Sequence, residues 1–300
     1  MKEFQSEFSS NIDVAETTCV STHLTKLIDV TEPYFALKNL TWEDDGYLKA
    51  EVQIEMTDHF EIPFLSLSEA GRHVAILGSL ALAQDNPRKE KHYYLACDAV
   101  FDRVHSQAIS SGKCYLRAKT LSIDKRAGIV HGQLFSDSGV LTYDAEVRYA
   151  IIHHEVFGRK FSSHFVDSEP RCTDNPYARK TPVRMEKQTS ENHTGYIDSI
   201  LRNDCAGHFN HYPALPVARI SGAMFELSGD HYNILRNSDS NYCIRRVEMH
   251  AESFIFAGEK VKITTEHKED LSGKGTLIEA HALINPEFDY KAVVTKCWFY

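Results

Sequence analysis

The 300-residue sequence lacks several features that would assign it to a specialised class of protein. No apolar run approaches the roughly 20 residues that a membrane-spanning helix needs. The opening segment, MKEFQSEFSSNIDVAETT, is polar and acidic and lacks the basic-then-apolar order of a secretory signal. A basic excess is also absent: 42 acidic against 33 basic side chains give a net charge of −9. We therefore expect a cytoplasmic protein without a membrane span and without a nucleic-acid partner.

Paired cysteines are missing as well. The seven cysteines are scattered, odd in number and form no C-x-x-C pair, which is typical of reduced thiols rather than of a disulfide framework. Cys205 and His208 have a C-x-x-H spacing and His211 follows, but no further ligands complete a metal set. We therefore predict no metal site.

What the sequence does contain is one order of segments that occurs twice. Each half has strand-like sequence, then a His-Phe pair, then a helix-like run, then several stretches rich in Val, Ile, Tyr and Thr. The helix-like runs cover about 66–84 and 217–235, and the first has apolar residues at steps of three and four. This order predicts an α+β fold in which each half is an antiparallel sheet wrapped around one long helix.

The boundaries between the halves follow from composition. Residues 156–180 are polar and contain prolines, which is typical of a linker. We therefore predict an N-terminal domain at 1–155 and a C-terminal domain at 181–300.

The second half contains HFNHYPALPV, residues 208–217, and Gly222-Ala223-Met224 on the helix that follows. This segment resembles a motif of the hot-dog family, within it the β-hydroxyacyl-acyl-carrier-protein dehydratases. The family motif H-F-P-G-x-P-x-M-P-G stands here as HFNHYPALPV, residues 208–217, in which the histidine, the phenylalanine and both prolines match. Asn210, His211 and Val217 depart from the motif. On the helix the family has E-A-M, or Asp in place of Glu, and here Gly222 stands in the position of the acid before Ala223-Met224.

The first half resembles the same motif in another way. His59-Phe60 match, the following loop is about four residues shorter, and Glu69-Ala70 stand where the family has its acid and alanine. The resemblance implies a tandem, or double, hot-dog with active sites between the two units, each taking its histidine from one unit and its acid from the other. It then implies one complete site, His208 with Glu69, and a degenerate site with His59, Gly222 and, as a nearby carboxyl, Glu226.

The chemistry of dehydration explains why both groups are needed. A histidine with a pKa near ~6.5 can remove the α-proton of a β-hydroxyacyl thioester. Hydroxide leaves poorly, so Glu69 would have to protonate it, which requires burial to raise the pKa of that carboxyl. The first amides of the second helix, near Val217, would stabilise the thioester oxygen. Pro213 and Pro216 would stiffen the loop, since proline fixes φ, and His73, one turn after Glu69, could orient it.

Other interpretations remain open at this point. Ser66 and Glu69 also form the S-x-x-E pattern of a capping box, so Glu69 could cap the helix instead. The resemblance implies a dehydratase of β-hydroxyacyl thioesters of acyl carrier protein or CoA, in fatty-acid or polyketide-type biosynthesis, with no cofactor beyond the substrate's own pantetheine arm. The alternatives are a hot-dog thioesterase, in which Glu69 would activate water or attack the thioester, and a non-catalytic acyl-binding or scaffold protein. The pair of units could also form a homodimer.

Overall fold

The computed structural model describes residues 23–56, 61–62, 65–105, 112–168, 174–271, 275–284, 287 and 290–300. Within these residues twelve strands form one antiparallel sheet, accompanied by helices α1 (Leu67–Asp85), α2 (His154–Lys160) and α3 (Val217–Arg236). The strands are β1 (Leu37–Trp42), β2 (Leu48–Gln53), β3 (His92–Arg103), β4 (Lys113–Ile123), β5 (Ala127–Ser136), β6 (Leu141–His153), β7 (Arg184–Gln188), β8 (Asn192–Ile197), β9 (Ile244–Ala251), β10 (Val261–Leu271), β11 (Gly275–Ile284) and β12 (Tyr290–Phe299). The predicted antiparallel α+β architecture is therefore confirmed.

Local sequence explains where the two long helices begin and end. The Ser66 hydroxyl accepts a hydrogen bond from the Glu69 amide at 3.2 Å, as an N-cap residue does. Helix α3 starts directly after Pro216, and ends at Asn237, whose φ of 50° closes the last turn. Both helices start and end within one residue of the predicted limits.

The strand order repeats between the two halves of the chain. The sheet runs β1-β2-β4-β5-β6-β3-β9-β12-β11-β10-β8-β7, so from either edge the first, second, fourth, fifth, sixth and third strands of a half follow one another. The halves meet where β3 pairs with β9, from Asp98 opposite His250 to Asp102 opposite Arg246. Helix α1 packs on the first half of the sheet, α3 packs on the second, and the two helices contact each other. The repeat detected in the sequence is thus matched by a repeated topology.

The segment predicted as a linker, residues 156–180, takes part in the packing of the interior. Phe157 on α2 is fully buried and stacks on Tyr93 with 3.7 Å between ring centroids. Tyr177 is also buried, and its hydroxyl donates to the Ala206 carbonyl at 2.7 Å. This stretch is therefore more than a connection, although the division into 1–155 and 181–300 stays a prediction.

Two expectations about composition can be compared with the described part of the chain. None of its helices combines the length and the apolar character needed to cross a lipid bilayer. Its five cysteines are free thiols, while Cys19 and Cys172 lie outside the described residues.

Candidate functional site

Backbone hydrogen bonds hold the loop that carries His208 from two sides. On one side the Thr31 amide donates to the Gly207 carbonyl at 2.9 Å, and Val30 forms an antiparallel bridge with His208. On the other side the Leu215 amide donates to the Ile255 carbonyl at 2.8 Å. Segments from both halves of the chain therefore fix the position of this histidine.

The backbone around His208 adopts an unusual conformation. Gly207 has φ of 77° and Phe209 has φ of 52°, a region that is strained for a bulky side chain. Phe209 is buried, and its ring packs against Tyr93 and Phe157 at centroid distances of 4.8 and 5.8 Å. We infer that this aromatic packing offsets the strain of the turn that presents His208.

The His208 ring lines a cavity of about 460 Å³ between the two halves. Helix α1 contributes its middle turns to this cavity, and α3 contributes its first turn. The walls are largely apolar and include Ile28, Val30, Ala75, Ile76, Leu95, Ile152, Leu215, Val217, Ile220, Phe254 and Val293. Val217 therefore lines the same cavity as the predicted histidine.

The hydrogen bond of His208 to the loop defines which ring nitrogen carries the proton. Its Nδ1 lies 2.9 Å from the Ala214 carbonyl oxygen, which only accepts, so Nδ1 carries the proton and Nε2 is left as a basic nitrogen. Burial lowers the pKa of His208 to about 4, and the Ala214 hydrogen bond and the Asp29 charge only partly oppose this shift. The imidazole is therefore neutral at pH 7. Between His208 and Ala214 lies Pro213, whose carbonyl accepts from the Ala257 amide at 2.9 Å, so the proline-bearing loop is rigidly held.

Glu69 lies in a different place from the one that the motif predicts. Its carboxylate accepts from the Glu55 amide at 2.7 Å and from the Met56 amide at 3.2 Å. It lines a second cavity, of about 30 Å³, which also includes Arg72 and Gly222, and not the cavity that contains His208. The structure thus brings Glu69 together with Gly222 and not with His208.

The charge state of Glu69 also differs from the expectation. Burial alone would raise the pKa of this carboxyl, but the His73 side chain, the Glu55 amide and the Arg72 charge together lower it. His73 Nε2 lies 3.6 Å from Glu69 Oε1, and burial followed by the Arg72 charge lowers the pKa of His73. Glu69 is therefore an ionised acceptor of hydrogen bonds, and the raised pKa expected for a general acid is contradicted. One half of the capping-box hypothesis is confirmed, because the Ser66 hydroxyl caps the helix. The Glu69 carboxylate accepts instead from the Glu55 and Met56 amides, which follow β2.

The packing of α1 against α3 shows why Glu69 does not occupy the position of the motif's acid. A small cavity between them is lined by Leu67, Ser68, Gly71 and Ala75 of α1 and by Val217, Ala218, Ser221 and Phe225 of α3. Both sets have the same spacing, so Leu67 corresponds to Val217. Gly222 then corresponds to Arg72, three residues beyond Glu69, and the acid of the motif is absent from both helices.

The remaining residues of the predicted degenerate site fall around this second cavity. A Cβ at Gly222 would lie 3.0 Å from the Ser68 hydroxyl, so the helix contact there favours glycine. Glu226 lines the same cavity, with its Oε1 3.7 Å from Lys180 Nζ. Arg72 stacks over the Tyr177 ring at 5.0 Å and helps to fill the space. His59, the histidine of this site, lies outside the described residues.

One group of side chains in the described part of the chain has the geometry of a metal-ligand set. One ligand atom from each of Glu55, Glu69 and His73 lies within 4.8 Å of the others. Arg72 Nη2 pairs with the Glu55 carboxylate and lies 3.1 Å from His73 Nε2. This guanidinium already supplies the positive charge that a cation would bring.

No protein-family model matches the sequence, and no curated protein matches it either. Solved structures do match. The tesB protein of Mycobacterium avium subs. paratuberculosis aligns over 95% of this chain and 98% of its own, with a TM-score of 0.59 and 9% identity. The 12:0-ACP thioesterase of Umbellularia californica covers 90% and 98%, with a TM-score of 0.56 and 9% identity. A conserved protein of unknown function with a hot-dog fold from Alicyclobacillus acidocaldarius covers 90% and 98%, with a TM-score of 0.56 and 11% identity.

The chain has the hot-dog fold, as the His-Phe motif implies. At 9 to 11% identity these matches describe the fold alone.

Several polar side chains of the large cavity are absent from the sequence-based prediction. Tyr34, Ser79 and Tyr94 line it together with His208, and Lys160 and Glu252 are exposed residues of its lining. No spacing rule connects these residues in the sequence, because they come from five different segments.

Proposed function

We propose that the chain is a tandem hot-dog protein that binds an acyl thioester in the His208 cavity and hydrolyses it. The observation that carries this proposal is a neutral histidine in a cavity whose described lining offers no buried carboxyl. Asp29, whose charge acts on His208, is not among the lining residues and pairs with Lys91 at 2.7 Å. Among the described residues that line the cavity, the sole carboxyl side chain is that of Glu252, which is exposed. A single base fits hydrolysis of a thioester better than dehydration.

The difference follows from the leaving groups. A thiol has a pKa near ~8.5, so the thiolate leaves without prior protonation, whereas loss of hydroxide requires an acid. In hydrolysis, His208 Nε2 takes a proton from water while the water oxygen bonds to the thioester carbon. The carbon–sulfur bond then breaks, the thiolate takes the proton from the imidazolium, and a carboxylic acid and a free thiol result. The amide of Val217 would stabilise the oxyanion at the start of α3.

A match among the solved structures and the cavity walls also support thioester hydrolysis. One of the matches described above is named a 12:0-ACP thioesterase, and 98% of its own length aligns with this chain. The apolar walls of the cavity suit an acyl chain. The carrier, acyl carrier protein or CoA, and a homodimer of the double hot-dog remain part of this proposal.

Dehydration of β-hydroxyacyl thioesters is the second candidate, because His208, Phe209, Pro213 and Pro216 match the dehydratase motif. It would require an acid other than Glu69. A non-catalytic acyl-binding role is the third, and the low pKa of His208 favours it, since a weak base assists chemistry less.

One set of assays separates these candidates. We expect release of thiol from saturated and 3-hydroxyacyl thioesters of CoA and of carrier protein, followed with a chromogenic thiol reagent, and no enoyl product by mass spectrometry. His208→Ala should abolish thiol release and Glu69→Gln should retain it. His131→Ala is the matched control, because His131 bonds to Asp144 on the sheet outside the cavity. Enoyl product would favour dehydration, and binding without turnover would favour the acyl-binding role.

A further inference from the structure

Tyr34 is a second polar side chain at the His208 end of the cavity. It is 4% exposed, and its ring meets the His208 ring edge-on with 4.9 Å between centroids. The segment that carries it is anchored to the catalytic loop by the bond from the Thr31 amide to the Gly207 carbonyl. The Phe35 amide in turn donates to the Thr31 carbonyl at 2.9 Å, which fixes the backbone around Tyr34.

The hydroxyl of Tyr34 differs from those of the other buried tyrosines of the cavity. The Tyr149 hydroxyl donates to the Ala75 carbonyl at 3.0 Å, and the Tyr94 hydroxyl accepts from the Asn86 amide group at 3.0 Å. Within the described part of the chain, the Tyr34 hydroxyl makes no hydrogen bond, although the residue lines a cavity with room for a ligand. Buried hydroxyls are normally satisfied, so an unpaired donor on a residue that lines a cavity indicates a partner on the ligand.

We propose that the Tyr34 hydroxyl donates a hydrogen bond to the carbonyl oxygen of the acyl thioester and to the oxyanion that forms from it. This inference rests on the proposed hydrolysis. Burial raises the pKa of Tyr34, so the phenol keeps its proton and acts as a donor throughout. His208, with a pKa lowered to about 4, is a weak base, so stabilisation of the oxyanion has to supply more of the rate.

The test compares two Tyr→Phe variants that should behave in opposite ways. Tyr34→Phe should lower kcat by about 10²-fold, as loss of one oxyanion donor does, and should also raise KM, because the carbonyl of the bound thioester loses the same donor, with Tm unchanged. The control is Tyr143→Phe, outside the cavity lining: the Tyr143 hydroxyl accepts from Arg103 at 2.5 Å and donates to the Leu65 carbonyl at 3.3 Å. That variant should have a lower Tm, while its kcat stays at the wild-type value.

The outcomes distinguish this inference from the proposed function. If the wild type hydrolyses thioesters and Tyr34→Phe is equally fast, the role of Tyr34 is refuted and the proposed function stands. If the wild type hydrolyses none, the proposed function fails, and calorimetry then tests Tyr34 with decanoyl-CoA and its thioether analogue, which lacks the carbonyl oxygen. Selective weakening of thioester binding in Tyr34→Phe, at least tenfold, would support the donor, and equal affinities would refute it.

Discussion

Replacement of Gly207 by alanine should damage the structure far more than the same change at another glycine with positive φ. At φ of 77°, an L-residue at this position pays about 1 to 2 kcal/mol. The new Cβ would also lie 2.3 Å from the Thr31 carbonyl oxygen and 2.8 Å from the Tyr34 amide nitrogen. Both are backbone atoms and cannot rotate away, so the whole segment 30–35 would have to move.

The magnitude follows from these two effects. Displacement of a packed segment costs about 1 to 3 kcal/mol, and a lost backbone hydrogen bond costs about 1 kcal/mol more. We therefore expect Gly207→Ala to lower the free energy of unfolding by about 3 to 6 kcal/mol. Gly139 has φ of 80° and a Cβ there would meet nothing within 4 Å, so Gly139→Ala should lose only the conformational part, about 1 to 2 kcal/mol.

Urea unfolding of the three proteins measures this difference through the transition midpoints. The thioester assay adds a second readout, because movement of segment 30–35 would displace Tyr34 and His208. Gly207→Ala should therefore lose hydrolysis as well as stability, while Gly139→Ala keeps it. Equal losses of stability in the two variants would refute the close approach of this segment to the loop.

Two pH dependences follow from buried histidines. Burial and the neighbouring His231 lower the pKa of His193 to about 4, against about 6.5 in an unfolded chain, so the unfolded state alone takes up a proton between these values. His193 should therefore contribute a fall in the free energy of unfolding of up to ~1.4 kcal/mol per pH unit from pH 6.5 down to 4, beside the contribution of His208. His193→Phe should reduce the slope by that amount in urea titrations, and an unchanged slope would exclude His193 as a source. For activity, His208 acts as a base only when neutral, so kcat/KM should lose half its value near pH 4, and a midpoint near 6.5 would contradict the burial of this ring.

The sequence predicts the fold well because its strongest signals are local. The His-Phe pair, the two prolines and the apolar periodicity place α3 and its loop within one residue, since turn chemistry and helix periodicity act over a few positions. Strands are predicted in the same way, from local enrichment in β-branched residues. The pairing of β3 with β9 is non-local, and nothing in either strand specifies a partner about 150 residues away.

The site is predicted less well than the fold, because its contacts join residues far apart in the sequence. In the sequence the Glu-Ala dipeptide aligns Glu69 with Gly222, whereas the helix contact aligns Arg72 with Gly222, because packing and not a dipeptide sets the register. No local sequence signal identifies Tyr34 as a residue of the site. It reaches His208 only because the segment 30–35 bonds to the loop at Gly207, a contact between residues about 175 positions apart.

The twelve-stranded sheet also bears on how such a chain can assemble. Its outer strands are short, with six residues in β1 and five in β7, and β7 carries the charged residues Arg184, Glu186 and Lys187. Short, charged edges resist the addition of further strands. The longer β3 and β9 pair with β6 and β12 on one side, and each covers the other's second edge. Separation of the two halves would leave β3 and β9 each unpaired along one edge and would open the cavity to solvent. We therefore expect covalent linkage of the halves to limit aggregation through these edges as well as to keep the cavity closed.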